Sequence, residues 1–113
     1  LLYKASHVNH PSGKWVRESQ NHYNWLYKMW EHLCYEYTNR YGRVHLSDLK
    51  LRGILANPPM QIDVKPFVDP YLAMPDDVKQ EDVVSAYQDY YIKYKKDFAK
   101  WTNREVPQFM VEA

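Results

Sequence analysis

Gln20-Asn21-His22-Tyr23-Asn24-Trp25-Leu26-Tyr27-Lys28-Met29-Trp30-Glu31-His32-Leu33-Cys34-Tyr35-Glu36-Tyr37-Thr38-Asn39-Arg40-Tyr41, closed by Gly42, is the stretch whose reading decides the fold. Apolar residues recur in it at Tyr23, Leu26, Trp30, Leu33, Tyr37 and Tyr41, three or four positions apart. That is the 3.6-residue period of a helix with one side turned inward, and the lack of Pro with a Gly at the end supplies the stop. The spacing predicts a long helix over 20–41. Immediately upstream, Ser12 to Glu18 also runs without Pro, and Ser19 suits the N-cap of the long helix. A short first helix over 12–18 is therefore expected, broken at Ser19.

Working outward, Ser47 opens a second pattern through Leu49, Leu51, Ile54 and Leu55, which Asn57-Pro58-Pro59 ends, so a helix over 47–56 is expected. Five of the seven prolines then fall at 58, 59, 66, 70 and 75, which forbids regular structure. Met60, Ile62, Val64, Phe67, Tyr71, Leu72 and Met74 in the same stretch imply a packed connector over 57–80. Asp82 caps a last helix over 82–102, with one apolar stripe at Val83, Tyr87, Tyr90, Tyr94 and Trp101 and a second at Val84, Tyr91 and Phe98. Two adjacent stripes predict a wide buried face, with Lys93, Lys95, Lys96, Lys100 and Arg104 outside and Val106-Pro107-Gln108-Phe109 leaving as an irregular tail. No alternating strand pattern or repeat is present. The class expected is all-α, a compact bundle of three to four helices in one domain over residues 1–113.

The bulk numbers narrow the function. Fifteen Lys and Arg against fourteen Asp and Glu give a net charge of +1, so polyanion binding has to come from local patches. A single Cys34 cannot form an internal disulfide, and with no Asn-x-Ser/Thr site a reducing compartment, the cytoplasm, is expected. No apolar run approaches the ~18 residues of a membrane span, so no membrane partner is expected. Aromatic residues make up 16%, with 11 Tyr and 4 Trp. The chain opens Leu1-Leu2 without an initiator Met, which suggests the C-terminal part of a longer protein.

Three places carry the chemistry available. His10, Trp15, Arg17 and Glu18 fall within about two helical turns, a set able to grip a phosphate or a base. Plain structural roles for the same residues are a Pro-started helix with Trp15 in the core and Arg17 on the surface. Glu36 and Arg40 are spaced for an intrahelical ion pair, and Arg40, Arg43 and His45 cluster after the helix end, where they could meet phosphate or simply answer the helix dipole. Lys93 and Lys96 on the Tyr-rich last helix could neutralise a nucleic-acid backbone while aromatic faces stack bases, although aromatic residues at helical spacing more often pack inside. Glu18 with His22 and His32 with Glu36 have the spacing of helical pairs that could ligate a metal, but no metal-binding spacing such as His-Glu-x-x-His appears, and neither metal nor cofactor is expected. No Gly-rich phosphate loop or nucleophile elbow occurs.

Tyr3-Lys4-Ala5-Ser6-His7-Val8-Asn9-His10-Pro11-Ser12, Lys14-Trp15-Val16-Arg17-Glu18-Ser19, Cys34-Tyr35-Glu36-Tyr37-Thr38-Asn39-Arg40-Tyr41-Gly42 and Ala86-Tyr87-Gln88-Asp89-Tyr90-Tyr91 together resemble a family of phage-encoded proteins described as pyrimidine dimer DNA glycosylase-like, distantly similar to phage endonuclease V. The resemblance spans residues 3 to about 109. It implies an all-α fold, DNA as partner, and a glycosylase/lyase that flips a nucleotide and attacks the sugar through an N-terminal amine aided by a Glu on the first helix. Family members carry a helical segment rich in His, Lys and Glu before the Asn-His-Pro motif, and this chain starts just short of it. Neither Leu1 nor Glu18 matches those roles, so no catalytic residue carries over. His10, Trp15, Arg17, Glu36, Arg40 and His45 are expected to line or brace a site, with Arg17, Arg40, Lys93 and Lys96 touching phosphates. The alternative is a non-enzymatic module that binds a nucleotide or a protein during infection, or a piece whose aromatic faces bury against the upstream segment or a second copy.

Overall fold

A computed structural model describes residues 5–111 of the chain, so Leu1 and the Tyr3-Lys4 start of the first motif lie outside the described residues. Helix α1 spans Pro11–Arg17, α2 Gln20–Tyr41 and α3 Leu46–Leu55; α4 begins at Val83 and α5 is the single turn Gln108–Val111. No strand occurs among the described residues, and the class is all-α. No described helix is long and apolar enough to cross a membrane.

The caps explain the boundaries. His10 accepts from the Ser12 amide at 3.0 Å and starts α1, with Pro11 in the first turn where its missing N–H is harmless. Ser19 breaks α1 from α2 as its sequence position predicts: its backbone is extended and its Oγ accepts from the Asn21 amide at 3.1 Å. Gly42 ends α2 at φ +68, a left-handed conformation natural to glycine. His45 repeats the His10 device at α3, accepting from the Ser47 amide at 3.1 Å.

Two expectations about the last helix are corrected. Asp82 caps it as expected, accepting from the Ser85 amide at 3.1 Å, but α-winding stops at Tyr90, widens to a π turn over Tyr91–Lys95, tightens to a 3-10 turn over Lys96–Phe98 and ends there, not at 102. The cause is tertiary. The Lys100 carbonyl is held by Arg40 and the Asn103 carbonyl by Asn39, which draws the chain after Phe98 back across the end of α2. Trp101 is thus on a return segment. The irregular tail is likewise corrected, because Pro107 starts α5 by accepting from the Met110 amide at 2.9 Å, and Met110 is buried.

The core is narrower than two apolar stripes predict. Ala86 is buried, but Val84 is 63% and Phe98 65% exposed, so the second stripe, at Val84, Tyr91 and Phe98, is left uncovered and not buried as expected. The surface of 8811 Å² exceeds the about 6,600 Å² expected of a closed domain of 13.7 kDa, so an open face is built into the fold. The connector does pack down, but through hydrogen bonds more than burial, with Met60 96% exposed. At the start of α2 the Gln20 amide donates to the Asp63 carbonyl at 2.8 Å, and Ser19 Oγ donates to the Lys65 carbonyl at 2.7 Å while accepting from the Lys65 amide at 3.2 Å. The first of these pairs an amide that a helix start leaves without a partner.

Candidate functional site

Trp15 and His22 are the centre of the buried structure, both 2% exposed. Their rings stack at 4.1 Å and 6°, and together they grip the backbone of one connector residue from both sides: Trp15 Nε1 donates to the Val68 carbonyl at 3.0 Å and His22 Nε2 accepts from the Val68 amide at 3.0 Å. His22 Nδ1, 2.7 Å from the Trp15 carbonyl, is then the donor, which fixes the ring tautomer. Every hydrogen-bonding group of both rings is satisfied. Trp15 therefore positions a wall and is no free base-stacking ring, and His22 has no nitrogen left for a metal. Among the described residues no group of three or more His, Cys, Asp or Glu is arranged to hold a metal ion.

Around this pair the open face takes shape. Phe67 meets Trp15 edge-on at 5.6 Å, as does Trp25. Trp15, Trp25, Met29, Phe67, Tyr87 and Tyr91 line a hollow of about 630 Å³ between α1, α2, the connector and α4, within the range of small-ligand sites. Asp69 is the one acidic residue among those lining it. Tyr87 is locked in place: its hydroxyl donates to the Tyr71 carbonyl at 2.9 Å and accepts from the Ala73 amide at 3.3 Å.

Farther along α2 lies a second hollow of about 360 Å³, and Met29 lines both. Its charged wall is Glu36 with Arg40 and Arg104. One carboxylate oxygen, Glu36 Oε2, accepts from Arg40 Nε at 2.6 Å and Arg104 Nε at 2.5 Å. The hydrogen bond from Arg40, joined by Arg104, holds the Glu36 carboxyl below its ordinary pKa. Arg40 also donates to the Lys100 carbonyl at 3.1 Å and sits 5.2 Å over the Trp101 ring. Asn103, in a left-handed conformation at φ +53, donates to the Arg40 carbonyl at 2.8 Å, so the return segment is fastened to the end of α2.

The residues expected to form one site are thus divided. Trp15 belongs to the first hollow, and Glu36 and Arg40 to the second. His10 and His45 are helix caps, and His45 also packs edge-on against Tyr37 at 4.7 Å. Arg17 donates to the Val8 carbonyl at 2.7 Å and steadies the segment before α1. Lys93 is paired with Asp77, which Tyr94 also contacts; Lys96 and Arg43 are exposed. None of these last six lines either hollow. Sequence reading put Arg104 on the exposed basic side of the last helix and missed it as a site residue, because its partner Glu36 is 68 positions away. It missed Phe67 as a wall for the same reason.

No protein-family model, no curated protein and no solved structure matches the chain.

Proposed function

We propose that the chain is a DNA-binding protein of repair type that holds an unstacked pyrimidine nucleotide, its base in the aromatic hollow and phosphates farther along the same strand against the arginine groove. The observation that carries this reading is the junction at Met29 between a hollow walled by Trp25, Phe67 and Tyr91 and a groove bearing two arginines. Flat aromatic walls accept a base face of any identity, at roughly 1–3 kcal/mol per stacked base. Along α2, Glu36 and Arg40 lie roughly 10 and 16 Å beyond Met29 at 1.5 Å per residue, about three to five nucleotides along one strand at 3.4 Å each. The resemblance to the phage glycosylase-like family points to the same ligand. The reading assigns binding and positioning, and no residue to bond cleavage.

Fluorescence anisotropy with undamaged, abasic and pyrimidine-dimer duplexes between 50 and 200 mM salt tests it. Preferential binding to the damaged duplexes is expected, with log K falling linearly in log salt. Substituting Trp25→Ala, at a lining position that is 42% exposed, is expected to weaken binding about tenfold, the low end of a lost stacking contact. Absence of binding at low salt, or binding indifferent to salt, refutes it.

The surface excess favours a second reading, a non-enzymatic module whose open face takes a free nucleotide or a protein. Thermal-shift screening separates the two, since a ligand at 100 times its Kd adds roughly 2.7 kcal/mol. A nucleotide shift without DNA binding selects the module.

A further inference from the structure

We infer that Arg40 and Arg104 form a clamp for a single phosphate group, with Glu36 as the residue that positions both guanidiniums. The inference deepens the nucleotide reading and rests on it only for the ligand's identity.

The argument begins with which nitrogens Glu36 takes. Both contacts are through Nε, to the same carboxylate oxygen. A guanidinium offers five N–H donors in a rigid fork, so engaging Nε fixes the plane and leaves the Nη edge for another acceptor. Arg40 gives one Nη1 bond to the Lys100 carbonyl, and Trp101 stacks on its face, so this fork is held on three sides. Arg104 is the more open partner, its side chain 46% exposed against 18% for Arg40. Two guanidiniums on one carboxylate leave one positive charge facing a groove whose other walls include Leu33 and Met29. That combination suits a phosphate carrying an organic group: paired Nη donors for the oxygens, and apolar wall for what is attached.

A carboxylate between two arginines could instead compete with an incoming anion, or merely fasten the return segment to α2. The three alternatives differ in what they predict. If Glu36 competes, Glu36→Gln tightens anion binding, because a rival is removed and net charge rises. If Glu36 positions, Glu36→Gln weakens binding although net charge rises. If the trio only fastens the segment, then Asn103→Ala, which loosens the same segment without touching either guanidinium, weakens binding as much as Arg104→Ala.

The experiment titrates inorganic phosphate, a pyrimidine nucleoside 5′-monophosphate and a short single-stranded oligonucleotide into the full chain, following the indole N–H resonance of Trp101, assigned with Trp101→Phe. Circular dichroism checks that each variant is folded. All three probes are expected to move that resonance. Arg104→Ala is expected to weaken oligonucleotide binding about tenfold and to reduce the salt slope by about 0.7, the share of one phosphate on a single strand. Arg104→Lys keeps the slope and loses affinity, since charge without the fork is a poorer match. Asn103→Ala leaves the slope unchanged. Silence of Trp101 toward all three probes overturns the clamp, as does an Arg104→Ala variant with unchanged affinity and slope, and tighter binding by Glu36→Gln overturns the positioning role. The two proposals fail separately. Phosphate and nucleotide acting on Trp101 without DNA binding keeps the clamp and removes the DNA reading, whereas DNA binding indifferent to Arg104 does the reverse.

Discussion

Replacing His22 by Phe keeps a flat ring against Trp15 and removes both hydrogen bonds of the imidazole. The two losses are unequal. The Trp15 carbonyl still accepts from the Glu18 amide at 3.2 Å, so the bond from His22 Nδ1 is worth about 1 kcal/mol, the net value of an ordinary hydrogen bond. The Val68 amide has His22 Nε2 as its acceptor and is left with none, which costs roughly 1–3 kcal/mol. The sum, about 2–4 kcal/mol, is a large part of the 5–15 kcal/mol that holds a domain of this size together. At about 4 °C per kcal/mol the melting temperature should fall by about 8–16 °C. Urea unfolding followed by tryptophan fluorescence measures the loss, and hydrogen exchange at the Val68 amide locates it. His22→Ala should cost more, since it also removes the stacked ring and leaves a void. The double variant Trp15→Phe/His22→Phe should lose less than the sum of its parts, because both residues hold the backbone of the same residue, Val68. A His22→Phe protein within 0.5 kcal/mol of the parent, with Val68 still protected, refutes this account of the core.

Ser19→Ala should destabilise by about 2 kcal/mol or more in the same urea assay, since Oγ caps α2 and also makes two bonds to Lys65; a loss below 0.5 kcal/mol would show that the connector is held elsewhere. The Tyr71 phenol, donating to Glu18, and the Tyr94 phenol, donating to Asp77, are both raised above their ordinary pKa of 10.0. Raised folded-state values mean that their contribution is fully present below about pH 10 and is lost as pH climbs beyond it. Absorbance of tyrosinate against pH should therefore show late-ionising tyrosines that vanish in Tyr71→Phe and Tyr94→Phe. In the opposite direction, Glu36 is held low chiefly by Arg40 and Asp77 chiefly by Lys93, so their stabilisation is present above about pH 4–5 and fades as pH falls through their lowered values; melting temperature against pH checks it. Cys34 is 3% exposed with its thiol pushed up by burial, so a thiol reagent at pH 8 should label it only on unfolding, and prompt labelling of the native chain would contradict its placement.

What could be read without coordinates was local. The 20–41 helix, its Ser19 and Gly42 boundaries and the short 11–17 and 46–55 helices follow from spacing and cap chemistry within a few positions. Asp82 as a cap belongs to the same class of signal. The last helix failed beyond Tyr90 because its end is decided by Arg40 and Asn39, about 60 positions upstream, which take carbonyls of the return segment. Its second stripe was legible as apolar but not as exposed, since periodicity says which residues share a face and nothing about whether a neighbour covers it. The same gap hides the site: Glu36 with Arg40 is visible as an i,i+4 pair, whereas Arg104 enters through chain reversal. The abundance of tyrosine is plain in the sequence, but its use is not. Tyr23 and Tyr27 reach from α2 to the Leu55 and Arg52 carbonyls at 2.9 and 2.7 Å, satisfying the end of α3, a role that has no sequence period.

The way the connector is tied has a consequence for how the chain can vary. Ser19, Gln20, Asn21, His22 and Trp15 hold Asp63, Ile62, Lys65 and Val68 by main-chain atoms alone. A tether to a carbonyl or an amide is blind to the side chain it holds, provided that residue keeps its N–H where one is used. Mutational tolerance should then be lopsided across a single contact: Ile62, Asp63 and Lys65 can drift through most residue types, while the five that grip them cannot. A library scanned across residues 15–22 and 62–68 would show two adjoining stretches of chain, in touch throughout, under very different selection.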